Sequence, residues 1–287
     1  MIRTYGTDRR RFLAGALGMG VVATTGCGEM ASDGSPEVAS AARPYDGKLG
    51  LQLYTVRDAF EADYAATLTT LAEIGYKDCE TAGFFEHNPT EVKALMNDLG
   101  LESNSGHVRI EQFQDSFGEA IETANTMGQT LMILPWIEES LRTPDSYREI
   151  ADLLNQRGEE AKAAGKQVAY HNHDFEFFEI DGERGYDILL ERADPELVKM
   201  ELDMYWVAHA DKDVVDVLSR APGRFIASHI KDRAADGSMV AVGDGEIDFA
   251  TILPKAAEMG MEHFYVEHDN PEEPFVSVQR SFTHLMG

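Results

Sequence analysis

Val168-Ala169-Tyr170-His171-Asn172-His173-Asp174-Phe175-Glu176 begins as an apolar run and ends in two histidines and two acids. In extended backbone, alternate side chains share a face, so a strand over 166–171 presents His171 and His173 on one side of its C-terminal end. The same pattern recurs downstream. Glu201-Leu202-Asp203, His229-Ile230-Lys231-Asp232 and Glu267-His268-Asp269 each close a short apolar run on acids or histidines. One imidazole or carboxylate per strand end, repeated over several strands, is how an α/β barrel assembles a metal site at its mouth.

Outward from that stretch the chain alternates. Strands are expected at 49–54, 76–81, 101–108, 130–135, 166–171, 198–203, 224–230 and 262–267. Helical spacing covers 63–74, 90–100, 117–127, 145–164, 185–192, 214–219, 248–259 and 275–285. Gly75, Gly100, Gly128, Gly165 and Gly260 stop helices, and Thr90 and Asp248 are expected N-caps. Residues 175–181 alternate and meet Asp181-Gly182, a hairpin signal, and 231–245 is a polar, Gly-rich loop. Strict alternation of strand and helix means parallel strands with crossover helices, and eight repeats close a (β/α)8 TIM barrel. An open doubly wound sheet lacks support: no G-x-G-x-x-G follows the first strand, and polar residues end many strands.

Composition agrees with one large domain. The chain has 287 residues, 43% of them hydrophobic, and a net charge of −26. That charge argues against nucleic acid, whose binding needs a basic face. The first residues read differently. Asp8-Arg9-Arg10-Arg11-Phe12-Leu13 precedes an apolar stretch too short to span a bilayer, and resembles a twin-arginine export signal. Thr24-Thr25-Gly26-Cys27 resembles a lipoprotein cleavage box, with Cys27 as the lipid acceptor. The expected organisation is a signal over 1–27, a flexible tether over 28–46 and a barrel over 47–287. The expected location is periplasmic or membrane-anchored, touching the membrane only through Cys27. Cys79 then has no disulfide partner and reads as a buried, inert thiol.

A barrel's active site lies at the C-terminal strand ends. Those ends offer Gln52, Tyr54 and Arg57, then Glu80, His107, Trp136, His171, His173, Glu176, Asp203, His229, Lys231, Glu267 and His268. A single such residue is ordinarily a cap or a hydrogen-bonded structural group. Several converging carboxylates repel one another and need protons or a cation. A mixed nitrogen and oxygen set suits a first-row divalent ion. The expected cofactor is a divalent metal ion, with Mn2+ ahead of Co2+, Mg2+ or Zn2+. The substrate-binding set is Gln52, Tyr54, Glu80, Trp136, His173, Glu176 and Trp206, the two tryptophans being either flat stacking surfaces or core packing.

Leu51-Gln52-Leu53-Tyr54-Thr55-Val56-Arg57, Leu202-Asp203-Met204-Tyr205-Trp206, His229-Ile230-Lys231-Asp232 and Tyr265-Val266-Glu267-His268-Asp269, with the stretch from Tyr170 to Phe177, resemble the sugar phosphate isomerase/epimerase family of xylose isomerase-like barrels. Within that family the chain resembles exported 3-keto-glycoside lyase-like members. The resemblance implies a metal held by Asp203, His229 and Glu267, with a fourth ligand from the fifth strand. The epimerases carry a Glu there; this chain has His171, with His173 or Glu176 as alternatives. The change removes one carboxylate of a two-carboxylate 3-epimerase. Gly243-Asp244-Gly245-Glu246-Ile247-Asp248-Phe249 resembles the family's loop after the seventh strand and reads as pocket-shaping.

The family's shared chemistry implies proton abstraction beside a carbonyl, with the metal steadying the charge that develops. The expected reaction is β-elimination from a 3-keto-glycoside, a small-molecule sugar met outside the cell. His107 is the expected base, Lys231 the stabiliser of oxyanion charge and Glu267 a ligand that could also act as base. The alternatives are a sugar isomerase or ketose 3-epimerase and, from another class, a non-catalytic carbohydrate-binding lipoprotein.

Overall fold

The computed structural model describes Tyr45 and residues 47–287. The expected export signal, Cys27 and all of the tether except Tyr45 lie outside the described residues. Eight parallel strands form one sheet: β1 (Gly50–Gln52), β2 (Asp78–Glu80), β3 (Ser105–His107), β4 (Leu131–Leu134), β5 (Gln167–His171), β6 (Val198–Asp203), β7 (Phe225–Ile230) and β8 (His263–Val266). Their order is β2-β1-β8-β7-β6-β5-β4-β3. Parallel bridges Asp78–Glu102 and Thr81–Gly106 join the two ends of that order, so the sheet curls into the expected barrel.

The strands are shorter than the apolar runs suggested. β1 stops at Gln52 because its side-chain oxygen accepts from the Tyr54 amide and turns the chain into a 3-10 segment, Leu53–Val56. Three short helices, Arg57–Ala62, Ile110–Asp115 and Met204–His209, follow strand ends where loops were expected. The helix expected from Thr90 is instead capped by Asn88, which accepts from the Thr90 amide and leaves Pro89 in the first turn. Asp248 caps Phe249–Glu258 as expected. The hairpin joins Glu179–Ile180 to Glu183–Arg184 through Asp181 and Gly182, both at positive φ (54° and 84°).

Side-chain alternation sorts the barrel into two interiors. Leu51, Cys79, Met132, Tyr170, Leu202, Ile230 and Val266 face outward into the main core beneath the helices. Each such fully buried aliphatic contributes roughly 1.5–3 kcal/mol. The inward residues form a separate small apolar cluster of Leu131, Ile133, Ala169, Ala227 and Tyr265. Gly50 lacks the side chain that would strike the Tyr265 ring, so the two pack across the inner floor. Nearer the C-terminal ends the inward positions are polar: Gln52, Glu80, Ser105, Glu201, Asp203, His229 and Glu267, all buried. Filling barrel layers with charge costs solvation, and groups so placed must compensate one another or hold an ion.

Candidate metal centre and active site

Strand register aligns these inward groups. Asp203 on β6 pairs with His229 on β7, His171 on β5 with Glu201, and Gln52 on β1 with Glu80. Asp203 closes β6 and caps the helix Met204–His209, its Oδ1 accepting from the Trp206 amide at 3.0 Å. Its other oxygen is thereby turned to its neighbours. Oδ2 lies 3.2 Å from His171 Nε2, 3.8 Å from His229 Nδ1 and 2.9 Å from Lys231 Nζ. Glu267 Oε2 lies 2.7 Å from His229 Nδ1 and 2.7 Å from Lys231 Nζ. His171 Nδ1 is 3.0 Å from the Pro135 carbonyl, a contact that orients the ring and aims Nε2 at Asp203.

One ligand atom from each of His171, Asp203, His229 and Glu267 lies within 4.8 Å of the others. Two imidazoles and two carboxylates suit a borderline first-row divalent ion. His229 Nδ1 is buried and makes no hydrogen bond despite its contact with Glu267. A cation shared by the two groups would satisfy that nitrogen, so the residues fit the metal that the motifs imply. Lys231 also belongs to this set, with its ammonium 2.6 Å from Asp269 Oδ1 as well.

The charges follow from this packing. Burial works against an ammonium at Lys231, but Asp203, Glu267 and Asp269 outweigh it and hold its pKa well above the usual lysine value. Burial likewise opposes charge on Asp203 and Glu267, yet Lys231 and the imidazoles keep both carboxyls well below the usual range. Burial lowers His171 to about 4, and His229 beside it adds to the effect. His173 is pushed well below its ordinary value by burial, then by His171 and Lys231.

His107 sits elsewhere than at the hand of a simple base. Its Nε2 lies 3.1 Å from Glu80 Oε1 and 3.2 Å from Glu201 Oε2. Burial is overcome by those two acids, and the imidazole is pushed up to about 9. An imidazole held protonated is an acid at neutral pH and not a proton acceptor. His173 differs: its Nδ1 has no hydrogen-bond partner, and its ring stacks on Phe175 at 5.2 Å.

A cavity of about 810 Å³ opens over this centre. His107, His171, His173, Lys231, Glu267 and Asp269 line it, and so do Tyr54 and Trp136, residues 40% and 42% exposed. Arg57 lies over the Tyr54 ring at 4.1 Å and Arg142 over the Trp136 ring at 5.5 Å. Gln52, Glu80 and Glu176 are placed behind the lining. Gln52 Nε2 donates to Glu80 Oε1 at 2.6 Å. Glu176 accepts from the Tyr170 hydroxyl at 2.7 Å and the His173 amide at 2.8 Å, which braces the turn after β5. Trp206 packs its ring 5.4 Å from His173 and is not part of the lining. His268 bonds Ser277, and Arg57 bonds the Tyr54 and Asp269 carbonyls, so both hold structure. Burial pushes the Cys79 thiol far up, as an inert cysteine requires. Two site residues escaped sequence reasoning, Glu201 and Asp269.

The loop after β7 is tied to one carboxylate. Asp232 accepts from the amides of Arg233, Gly243, Gly245 and Ile247, at 2.8 to 3.2 Å. A Cβ at Gly245 would collide with that carboxylate, which is why glycine stands there.

The family described as xylose isomerase-like TIM barrel matches residues 68–284. The chain belongs to that family. Among its relatives, this xylose isomerase-like barrel is 25% identical over 233 residues to an inosose dehydratase of Geobacillus kaustophilus, covering 67% of this chain and 75% of that one. A sugar phosphate isomerase/epimerase from Parabacteroides distasonis superposes with a TM-score of 0.74 at 27% identity, over 87% of this chain and 96% of that one. A 3-keto-D-glucoside 4-epimerase from E. coli shares the fold at a TM-score of 0.63 and 17% identity, over 84% of this chain and 99% of that one.

Proposed function

We propose that this xylose isomerase-like barrel is a sugar-modifying enzyme that removes a proton beside a ketone and eliminates the β-substituent, its substrate a 3-keto-glycoside. The observation that carries the reading is the buried set of His171, Asp203, His229 and Glu267 at the mouth, with the Lys231 ammonium on the same carboxylates. A divalent cation on those four residues would supply a Lewis acid for a carbonyl and an adjacent hydroxyl. The names of the relatives support the reading from two sides: one is a dehydratase acting on an inosose, another an epimerase acting on a 3-keto-glucoside.

The chain's own groups divide the remaining work. His173, neutral and lining the pocket, takes the proton from C2 of the sugar. The C2–H electron pair becomes the C1–C2 double bond. The C1–O bond breaks, and its electrons leave with the aglycone oxygen, which takes a proton from solvent as it departs. Lys231 keeps its proton and places an ammonium where negative charge develops on the ketone oxygen. Tyr54 and Trp136 hold the faces of sugar and aglycone. Export by the twin-arginine route, proposed from Arg9-Arg10, would put the enzyme where glycosides are met.

The test is incubation of the purified protein with a 3-keto-glucoside of a chromogenic alcohol in D2O with added Mn2+, Co2+, Mg2+ or Zn2+. Release of the alcohol supports elimination. Deuterium entering C2 with no release would move the reading to an isomerase or epimerase. Sugar binding without exchange would point to a carbohydrate-binding protein.

A further inference from the structure

A second set of ligand-grade atoms lies beside the first. Glu80, His107, Glu201 and His229 each bring one such atom within 4.8 Å of the others. His229 Nε2 is 2.6 Å from Glu80 Oε1 and 3.3 Å from Glu201 Oε2. His107 Nε2 is 3.1 Å from Glu80 and 3.2 Å from Glu201. A tetrahedral ion with ligands at about 2.0–2.2 Å has ligand-to-ligand edges of roughly 3.3–3.6 Å. Three of the four distances stand close to that value. The fourth is a hydrogen bond that an ion would replace.

We infer that the barrel binds a second divalent cation between Glu80, His107, Glu201 and His229, next to the first set and joined to it through the His229 ring. Four observations carry the inference. The first is the orphaned acceptor: Glu201 is fully buried, and its Oε1 has no hydrogen-bond partner. The imidazoles face its other oxygen, Oε2, and a cation held by both oxygens would give Oε1 the partner it lacks. The second is the supporting shell. Gln52 donates to Glu80 Oε1, and the Ser105 hydroxyl donates to Glu80 Oε2. Fixing a ligating carboxylate from behind is how metal sites hold their geometry.

The third observation is charge. The ion pairs of Lys231 go to Asp203, Glu267 and Asp269 and leave Glu80 and Glu201 to the imidazoles alone. Two buried carboxylates balance a divalent ion in charge, with the imidazoles as its further ligands. The fourth is the direction of His229. Its two nitrogens serve different sets, Nε2 toward Glu80 and Glu201, Nδ1 toward Glu267 and Asp203. With both sites filled, the ring bridges two ions as imidazolate and its N–H proton goes to solvent. His107 then serves as a ligand, consistent with assigning the base to His173.

The deeper site does not depend on the reaction proposed above, and the test separates the two. Metal-free protein is titrated with Co2+, gel-filtered and analysed for cobalt. The wild type should retain about two equivalents, and Glu201→Gln and Asp203→Asn about one each, since each removes one ligand set. Circular dichroism checks that the variants fold. Anomalous diffraction from Co2+-soaked wild-type crystals needs no variant and should show a peak between Glu80 and Glu201. Cobalt content in folded Glu201→Gln equal to that of the wild type, or no anomalous peak at that position, overturns the deeper site. Unchanged content in Asp203→Asn would instead dismiss Asp203 as a ligand of the mouth set and leave the deeper site standing.

Discussion

Lys231 Nζ lies 2.7 Å from Glu267 Oε2, on the same oxygen that faces His229 Nδ1 at the same distance. An ammonium and a metal ion are therefore candidates for one patch of negative charge. The lysine supplies part of the compensation that a metal-free barrel needs. Lys231→Met should strip from Asp203, Glu267 and Asp269 the only ammonium paired with them among the described residues. Breaking one side of a buried ion pair costs about 3–5 kcal/mol. The metal-free variant should melt well below the metal-free wild type, and added Mn2+ or Zn2+ should raise its Tm more than it raises that of the wild type. Equal Tm gains on adding metal would show that the lysine and the ion do not share this charge.

Removing the acids should act on the ion itself. Asp203→Ala and Glu267→Ala each delete one ligand of the mouth set and should lower bound metal at that set by at least 10-fold, by the sensitivity of such sites to ligand loss. Elemental analysis after dialysis is the measurement. Wild-type metal content in both variants would dismiss these two residues as ligands.

Glu176 gives a pH prediction. Burial raises its carboxyl to about 7, against the hydrogen bonds from Tyr170 and His173 that favour the anion. A folded pKa above the unfolded value of 4.5 means that its stabilising contribution is complete below about 4.5 and lost as pH rises through about 7. Glu176→Gln keeps a neutral side chain at every pH. Its Tm relative to wild type should therefore rise between pH 5 and pH 8, over about the window set by the two pKa values. A difference that stays flat across that range would mean that the carboxyl is not buried as a titrating group.

The barrel was legible because its signal is global: eight apolar runs spaced by helical periodicity allow little else. The mouth was legible for a local reason, since His171, Asp203, His229 and Glu267 all close their strands. The same two-residue alternation that joins His171 to His173 also joins Glu201 to Asp203 and Glu267 to Asp269, and could have flagged Glu201 and Asp269. What no local rule carries is the pairing across strands. Lys231 meets carboxylates from two strand ends, and Glu80 meets imidazoles 27 and 149 positions away, contacts that exist only once the barrel closes. Glu176 ends the most informative stretch in the sequence, yet it turns back onto Tyr170 and braces the backbone, because the chain enters a 3-10 turn at Phe175–Phe177.

Export rests on residues outside the described part of the chain. The proposal is that Arg9-Arg10 direct the protein through the twin-arginine route, which carries folded proteins with their cofactor in place. Replacing both by Lys should leave precursor in the cytoplasm, with the periplasmic or membrane-bound fraction lost on immunoblots of fractionated cells. An undiminished exported fraction would remove the signal reading without touching the barrel.

The last prediction concerns the base. His107, first in line from the sequence, is flanked by Glu80 and Glu201 and held protonated near neutrality. Glu267 faces Lys231 and His229 and belongs to the metal-binding set. Lys231 keeps its proton because three carboxylates surround it. His173 remains: it lines the cavity, is neutral, and has a ring nitrogen without a partner. Phe175 stacks against it and Trp206 packs beside it, so the ring is positioned by apolar contacts. Loss of a general base removes about 10²–10⁴ of the rate. His173→Ala should therefore keep the metal bound by His171, Asp203, His229 and Glu267, yet lose exchange of the C2 proton of a 3-keto-glucoside with D2O by that factor. His173→Gln, which keeps the size but not the basicity, should lose as much. Exchange at the wild-type rate in both variants would return the assignment to Glu267, and recovery in the Gln variant alone would make His173 a packing residue.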